Sequence, residues 1–460
     1  MPMRPLTDLG NAERFADQFA NEYRYISTRD QWRRWTGKVW ASDATEERYT
    51  AARLVARSIQ LEAAQGVTVE AINAVRKWGD ASESLPRQRA MVTLAQADRA
   101  IAATHQQFDA DPNALNTQSG IVDLRTGELR PHDPTAYCSR ITRASYAPGT
   151  AAPTWAGLVR WAMCDDAELI AWFQRAVGAS LYGHQQEQIF AFCFGGGGNG
   201  KGSILNALRR ILGDYACILP GAFFELQRQK PHTTEIADLF GARFAVGSEV
   251  SPSATLDEAK VKELTGGDPV KARRMHQDNE EHEPTWTLWL QGNSKPRIRG
   301  TDRGIWRRMR LIPFLASIQD DQIDRELPNK LLAEADGILT WAVDGARMWH
   351  DDRLGLCSAV ESASLEYREA EDVVGQFLED CCNVDPAAHY TTSKADFRRA
   401  FENWCAENGL VALGTKTVAD RLAKAGIREM KSNATRSWRG VQLITSTTIR
   451  PIGTDRYWGD

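Results

Sequence analysis

The chain has 460 residues, 42% of them apolar and 25% charged, with a formal charge of −4 at pH 7. That composition excludes low-complexity and collagen-like chains and makes no global electrostatic case for nucleic-acid binding, although a basic channel needs only a local field. No apolar run approaches bilayer length, and Met1–Gly10 lacks the apolar core of a signal peptide. Eight dispersed cysteines without a CxxC pair complete the expectation of a reduced, cytoplasmic chain with no membrane partner and no structural zinc.

In chain order, residues 1–50 alternate aromatics and arginines around Trp32, Trp35 and Trp40, which predicts a small β unit with packed rather than base-stacking aromatics. From Arg48 to about Gln107 the apolar spacing is helical. An Arg-Thr-Gly-Glu turn at 125–128 then joins two short strands, and Ala147–Pro153 reads as a linker. Residues 154–182 predict two amphipathic helices with Trp155, Leu158, Trp161, Leu169, Trp172 and Phe173 on buried faces. Apolar segments follow near 189, at 242–249, at 286–293 and at 309–314, alternating with helical stretches. That alternation implies an α/β fold with a mostly parallel sheet covered on both faces. Residues 324–350 are helical, and the tail offers helices at 373–382, 396–408 and 415–425 followed by a strand-like 438–444. Helix, helix, helix, strand is the order of a winged-helix module.

The chemistry is concentrated in Phe190–Leu208, an apolar strand running into a glycine-rich loop and then an amphipathic helix. Gly195-x4-Gly200-Lys201 fits the P-loop pattern, with Gly202 where Ser or Thr is usual and Ser203 following. Glycines let backbone N–H groups turn toward phosphate oxygens, the lysine supplies charge, and the helix N-terminus adds its dipole. Gly195, Gly197, Gly198, Asn199, Gly200, Lys201, Gly202 and Ser203 are therefore the expected binders of a nucleoside triphosphate, ATP with Mg²⁺. Ligands of such sheets sit beyond the carboxyl ends of the strands, where Lys201, Glu249 and Asn293 should converge. Glu249 follows an apolar strand and is the candidate, with Ser203, to hold Mg²⁺ and to polarise water. Asn293 is the candidate to contact the γ-phosphate without adding charge. Arg303, Arg307, Arg308 and Arg310 surround Trp306, and Arg308 is favoured as an arginine reaching a neighbouring subunit's site.

The set resembles the superfamily 3 helicases, specifically the phage and plasmid primase-helicase family related to the poxvirus nucleoside triphosphatase helicases. The resemblance is carried by 7–15, 116–134, Gly197–Lys201, Glu249, 261–273, Asn293 and Trp306–Phe314 in that order. It implies an AAA+-type P-loop ATPase core at 186–325, a helical/β N-terminal region at 1–150 and a helical connector at 151–185. A helical segment at 326–371 and a winged-helix-like domain at 372–460 complete the division. It further implies a hexameric ring that pumps a DNA strand through its channel in the replication of a phage, plasmid or other mobile element within a bacterial cytoplasm. Lys201 and Ser203 then belong to the first nucleotide motif, Glu249 to the second, Asn293 is the sensor and Arg308 the finger in trans. A DNA-contacting hairpin is expected between the second motif and the sensor, with Lys271, Arg273, Arg274 and His276 on phosphates and an acidic tip, Asp278–Glu281, where relatives are basic. Between Lys394 and Arg439 ten Lys/Arg oppose five acids, a local +5 suited to duplex DNA or to solvated helix faces. No residues for a primase-polymerase module are apparent. The rival readings are a DNA-stimulated ATPase acting as an origin-binding initiator or loader, and a small-molecule phosphotransferase, since Gly-Lys-Gly-Ser also occurs in nucleotide kinases.

Overall fold

The computed structural model describes residues 4–65, 67–185, 187–227, 234–251, 254–273, 280–298, 303–319, 323–431 and 436–444. Its first element, α1 (Asp8–Phe19), starts at Thr7, whose hydroxyl accepts the Gly10 N–H at 3.0 Å. Strands β1 (Tyr23–Ile26), β2 (Gln31–Trp35) and β3 (Trp40–Ser42) form the expected small sheet, and helices α2 (Arg48–Glu62), α3 (Val69–Ser82) and α4 (Leu85–Ala95) follow. β4 (Ala102–Ala103) returns to pair with β1 in parallel. Phe15, Tyr23, Trp32, Val55 and Met91 make one buried cluster. Trp40 is fully buried, stacked on Tyr137 at 6.1 Å with the Arg24 guanidinium over its ring. These rings are taken up in packing, so the tryptophan-rich start is a small core and not a stacking platform.

β5 (Ala114–Thr117), β6 (Gly120–Asp123) and β7 (Leu129–Arg130) form an antiparallel sheet whose second turn is the Arg-Thr-Gly-Glu sequence. α5 (Pro153–Ala162) and α6 (Ala167–Ala179) are the two predicted amphipathic helices; Trp161 is only half-buried, the other five named side chains fully. The central sheet begins with β8 (Phe190–Phe194) and the helix α7 (Lys201–Leu212), then β9 (Ala216–Leu219), a short α8 (Thr234–Ala237) and β10 (Phe244–Gly247). α9 (Glu258–Leu264), the hairpin strands β11 (Val270–Ala272) and β12 (Glu280–His282), β13 (Thr287–Gly292), α10 (Arg303–Trp306) and β14 (Met309–Pro313) complete it. The strand order is β14-β8-β13-β10-β9, and all four pairings are parallel.

Alternation assigns each strand's side chains to opposite cores. Ala191, Cys193 and Trp289 face a cluster with α5, α6, α7 and the long α12 (Ala335–Asp352), which follows α11 (Leu327–Ala333). Phe190, Phe192, Leu288, Leu290 and Leu311 face the other side, where Trp306 and Tyr367 of α13 (Ser358–Glu371) close the core. α6 and α12 approach so closely at Gly178 and Gly345 that a Cβ on Gly178 would lie 2.1 Å from the Ala346 nitrogen.

The tail holds α14 (Val373–Cys381), β15 (Cys382–Val384), β16 (Thr391–Ser393), α15 (Lys394–Glu407), α16 (Thr415–Lys424), β17 (Arg428–Lys431), β18 (Arg436–Arg439) and β19 (Val441–Leu443). Its three-stranded sheet, ordered β16-β18-β17, and its helices enclose a separate core around Phe377, Phe401, Trp404 and Leu422. The order is one helix, two short strands, two helices and three strands, with the predicted 438–444 strand divided in two at Gly440. No helix among the described residues is long and apolar enough to cross a membrane.

Candidate functional site

The glycine-rich loop leaves the carboxyl end of β8 and enters α7 through two left-handed positions that only glycine adopts without strain, Gly198 (φ 68°) and Gly200 (φ 82°). Gly195 is required for a different reason: a Cβ there would lie 2.1 Å from the Phe314 carbonyl oxygen. The buried Asn199 side chain donates to that same carbonyl at 3.0 Å, tying the loop to the end of β14. Trp161 and Leu158 of α5 pack behind Gly200. The loop is thus held from both sides, with Gly196 and Gly197 facing open space.

Lys201 is the first residue of α7, and its side chain is buried. Its ammonium donates to the Gly195 and Gly196 carbonyls (3.1 and 2.9 Å), to Asn199 Oδ1 (3.2 Å) and to Asn293 Oδ1. Burial pushes its pKa below the usual lysine value, while the charge of Glu249 pulls the other way. Glu249 Oε1 accepts the Asn293 N–H at 2.9 Å, so the three predicted residues converge beyond the carboxyl ends of β8, β10 and β13. They line a cleft of about 330 Å³ together with Gly197, Gly198, Asn199, Gly200, Gly202, Ser203, Gly292 and Gln291. Gln291 and Gly292 are the lining residues that sequence reasoning missed, and of the two only Gln291 brings a side chain. Its signal was a polar side chain closing the apolar run Leu288-Trp-Leu.

Lysine charge and a helix N-terminus suit this cleft to an anion, and its oxygen donors, the Ser203 hydroxyl, the Glu249 carboxylate and the Gln291 amide, suit a hard divalent cation such as Mg²⁺. Among the described residues there is no group of three or more His, Cys, Asp or Glu placed to hold a metal by themselves. A site shared between few protein oxygens and a polyphosphate fits that donor set.

The arginine run lies at the other end of the sheet. β14 runs parallel to β8, with Met309 beside Phe190 and Pro313 beside Phe194, so Arg308 precedes the strand about 16 Å from the loop end. Arg308 is buried, and its guanidinium donates to the Gly304 carbonyl at 2.7 Å. Arg303 and Arg307 are exposed, and Arg307 donates to Gln188 at 3.3 Å. Arg310 is half-buried and bonds the Arg307 and Met309 carbonyls.

The hairpin is present as β11 and β12, paired Val270 to His282 and Ala272 to Glu280. Lys271 and Arg273 are exposed, and Lys271 pairs with Glu281 at 3.2 Å. Arg274 and His276 lie outside the described residues, as do Asp278 and Asn279. Glu280 and Glu281, expected in an acidic tip, are instead strand residues. Glu280 binds the Arg29 guanidinium through both oxygens (3.2 and 2.8 Å), and His282 stacks on Phe240 at 3.8 Å.

In the tail the basic residues divide by use. Lys394 pairs with Glu429 and lies over Trp438, Arg398 with Glu402, Arg399 with Asp396, and buried Arg421 with Asp372. Lys416 on α16 and Arg428, Lys431, Arg436 and Arg439 on the β17–β18 ribbon are exposed.

Comparison with known proteins places these features. Residues 12–164 match the family described as "D5 N terminal like", and residues 193–308 match a family of unknown function (DUF5906). The chain is similar to the "Putative primase" of African swine fever virus, 23% identical over 327 residues that cover 65% of this chain and 34% of the relative. The "Putative helicase" of Acanthamoeba polyphaga mimivirus is 26% identical over 219 residues, 44% of this chain and 23% of the relative. That of Frog virus 3 is 25% identical over 258 residues, 51% and 26% respectively. The chain thus spans about a third or less of the length of these relatives. Among solved structures, the apo structure of the NrS-1 C terminal region superposes with a TM-score of 0.54 at 10% identity, covering 94% of this chain and 99% of that one. A second form of that region gives 0.51 at 10% identity, with 91% and 96% covered. These structures share the fold.

Proposed function

We propose that this chain, whose D5-like segment and viral relatives are consistent with a superfamily 3 helicase or primase type of family, is an ATP- and Mg²⁺-dependent DNA helicase or translocase acting as a ring in the replication of a mobile element. The observation that carries the reading is the convergence of Lys201, Glu249 and Asn293 on one cleft at the carboxyl edge of a parallel sheet. Hydrolysis needs charge on the leaving phosphates, an oriented water and a neutral contact to the γ-phosphate. Lys201 supplies the first, and its present acceptors are backbone and amide oxygens that phosphate oxygens can replace. Glu249 would polarise the water and Asn293 would contact the γ-phosphate. Mg²⁺, held by Ser203 and Glu249 with phosphate oxygens, would neutralise charge developing on the nucleotide.

The fold also bears on the arginine finger. Arg308 lies too far from its own cleft, as a residue acting in trans must, yet it is buried. The exposed Arg303 and Arg307 are therefore better placed to cross a subunit boundary. Single-stranded DNA would meet Lys271 and Arg273 of the hairpin, and duplex DNA the α16 and β17–β18 face. That second face, read as part of a winged helix, favours one alternative, an origin-binding initiator or loader with little unwinding.

Turnover of ATP with and without single-stranded DNA tests the reading. We expect DNA-stimulated hydrolysis that Lys201→Ala abolishes; hydrolysis indifferent to DNA, or surviving in the variant, contradicts it. Displacement of a strand from a forked duplex separates helicase from loader.

A further inference from the structure

In the usual P-loop the residue after the lysine carries a hydroxyl that meets the metal, and here that residue is Gly202. Gly202 is in the first turn of α7, and a Cβ built on it would have one neighbour within 4 Å, the Gln291 side-chain oxygen at 3.6 Å. The space a Ser or Thr side chain would fill is thus faced by a carboxamide from the adjacent strand. Gln291 sits beside Cys193 in the parallel register of β13 and β8, two residues before Asn293, on the side of the sheet that α7 covers. It is half-buried and lines the cleft, and among the described residues its carboxamide has no hydrogen-bond partner. A carboxamide held at a strand end, facing the space beside Gly202 and bonded to no described residue, is available to a ligand in the cleft.

Resting on the nucleotide reading above, we infer that Gln291 stands in for the missing P-loop hydroxyl, its amide oxygen contributing to the Mg²⁺–nucleotide site from β13 rather than from α7. Oxygen identity, not charge, is what a hard cation asks of such a group, and a carboxamide supplies it as a hydroxyl does.

The test is nucleotide affinity, followed with a fluorescent ATP analogue in EDTA and in Mg²⁺. We expect Mg²⁺ to tighten binding to the unaltered protein. Gln291→Met, which keeps the bulk, and Gln291→Ala should lose about tenfold of that gain while binding in EDTA stays unchanged. Adding Gly202→Thr to Gln291→Ala should restore the gain, since nothing obstructs a side chain at 202 once the amide is gone. A full Mg²⁺ gain in both Gln291 variants, with loss on Ser203→Ala alone, overturns the assignment and leaves the nucleotide reading intact. Equal weakening in EDTA and Mg²⁺ without rescue also overturns it, showing a packing role. Absence of nucleotide binding by the unaltered protein would overturn the nucleotide reading itself, and Gln291's role with it.

Discussion

At the scale of single residues, the cleft keeps a lysine charge in a place that disfavours it. Lys201 is surrounded by carbonyl dipoles with the Glu249 carboxylate nearby, and burial lowers its pKa. A bound triphosphate would restore the preference for the charged form. Where the pH approaches that lowered pKa, the free protein would then hold a larger fraction of Lys201 neutral than the complex. Nucleotide binding should accordingly take up more protons as the pH rises toward that range, seen by calorimetry as heats that depend on the buffer's ionisation enthalpy. Buffer-independent heats at alkaline pH would contradict it. Glu249 offers a complementary test. Glu249→Gln keeps an acceptor for the Asn293 N–H but loses the base, so we expect nucleotide binding within a few fold of normal and turnover reduced about 10²-fold or more. Lys201 was legible in sequence through its glycine-rich loop, and Glu249 because it follows an apolar run, where a parallel sheet places its ligands. Gln291 was not, because its role depends on a side chain that is missing across the cleft, on a helix.

At the scale of elements, the strands that were read correctly, Phe244–Gly247, Thr287–Gly292 and Met309–Pro313, are mostly apolar and buried on both faces. β9 escaped because it is a short edge strand with Ile218 exposed. The hairpin illustrates the limit more sharply. Its sequence gives charges but not register, and register is what sets Lys271 against Glu281 and Glu280 against Arg29. The second pairing fastens β12 to the N-terminal sheet region. Arg29→Ala should therefore leave ATP turnover without DNA unchanged but speed proteolytic cleavage around 270–282, and unchanged cleavage would show that the pair restrains nothing. The close approach of α6 to α12 is a separate structural demand. Gly178→Ala places a methyl into backbone and should destabilise the fold by about 1–3 kcal/mol in denaturant unfolding.

At the scale of the whole molecule, the net charge of −4 conceals a division of labour. In the tail, four of the basic side chains are committed to internal pairs, while Lys416, Arg428, Lys431 and Arg436 are exposed on the helix and ribbon that the proposed winged helix would present to DNA. Counting charges in sequence could not make that separation, since pairing is a property of the fold. Replacing those four by alanine should weaken duplex binding and flatten its salt dependence, by roughly 0.9 in log–log slope for each phosphate that is no longer neutralised. An unaltered slope would place the duplex elsewhere. The Asn199 hydrogen bond to the end of β14 has a consequence on this scale too. One short strand touches the glycine-rich loop at its carboxyl end and carries the arginine run at its amino end. An extended strand hydrogen-bonded along its length to β8 barely stretches, so displacement at one end is felt at the other. In a ring of the proposed kind, the occupancy of each cleft would set the posture of the arginines offered to the next, and the order of firing would be written into β14.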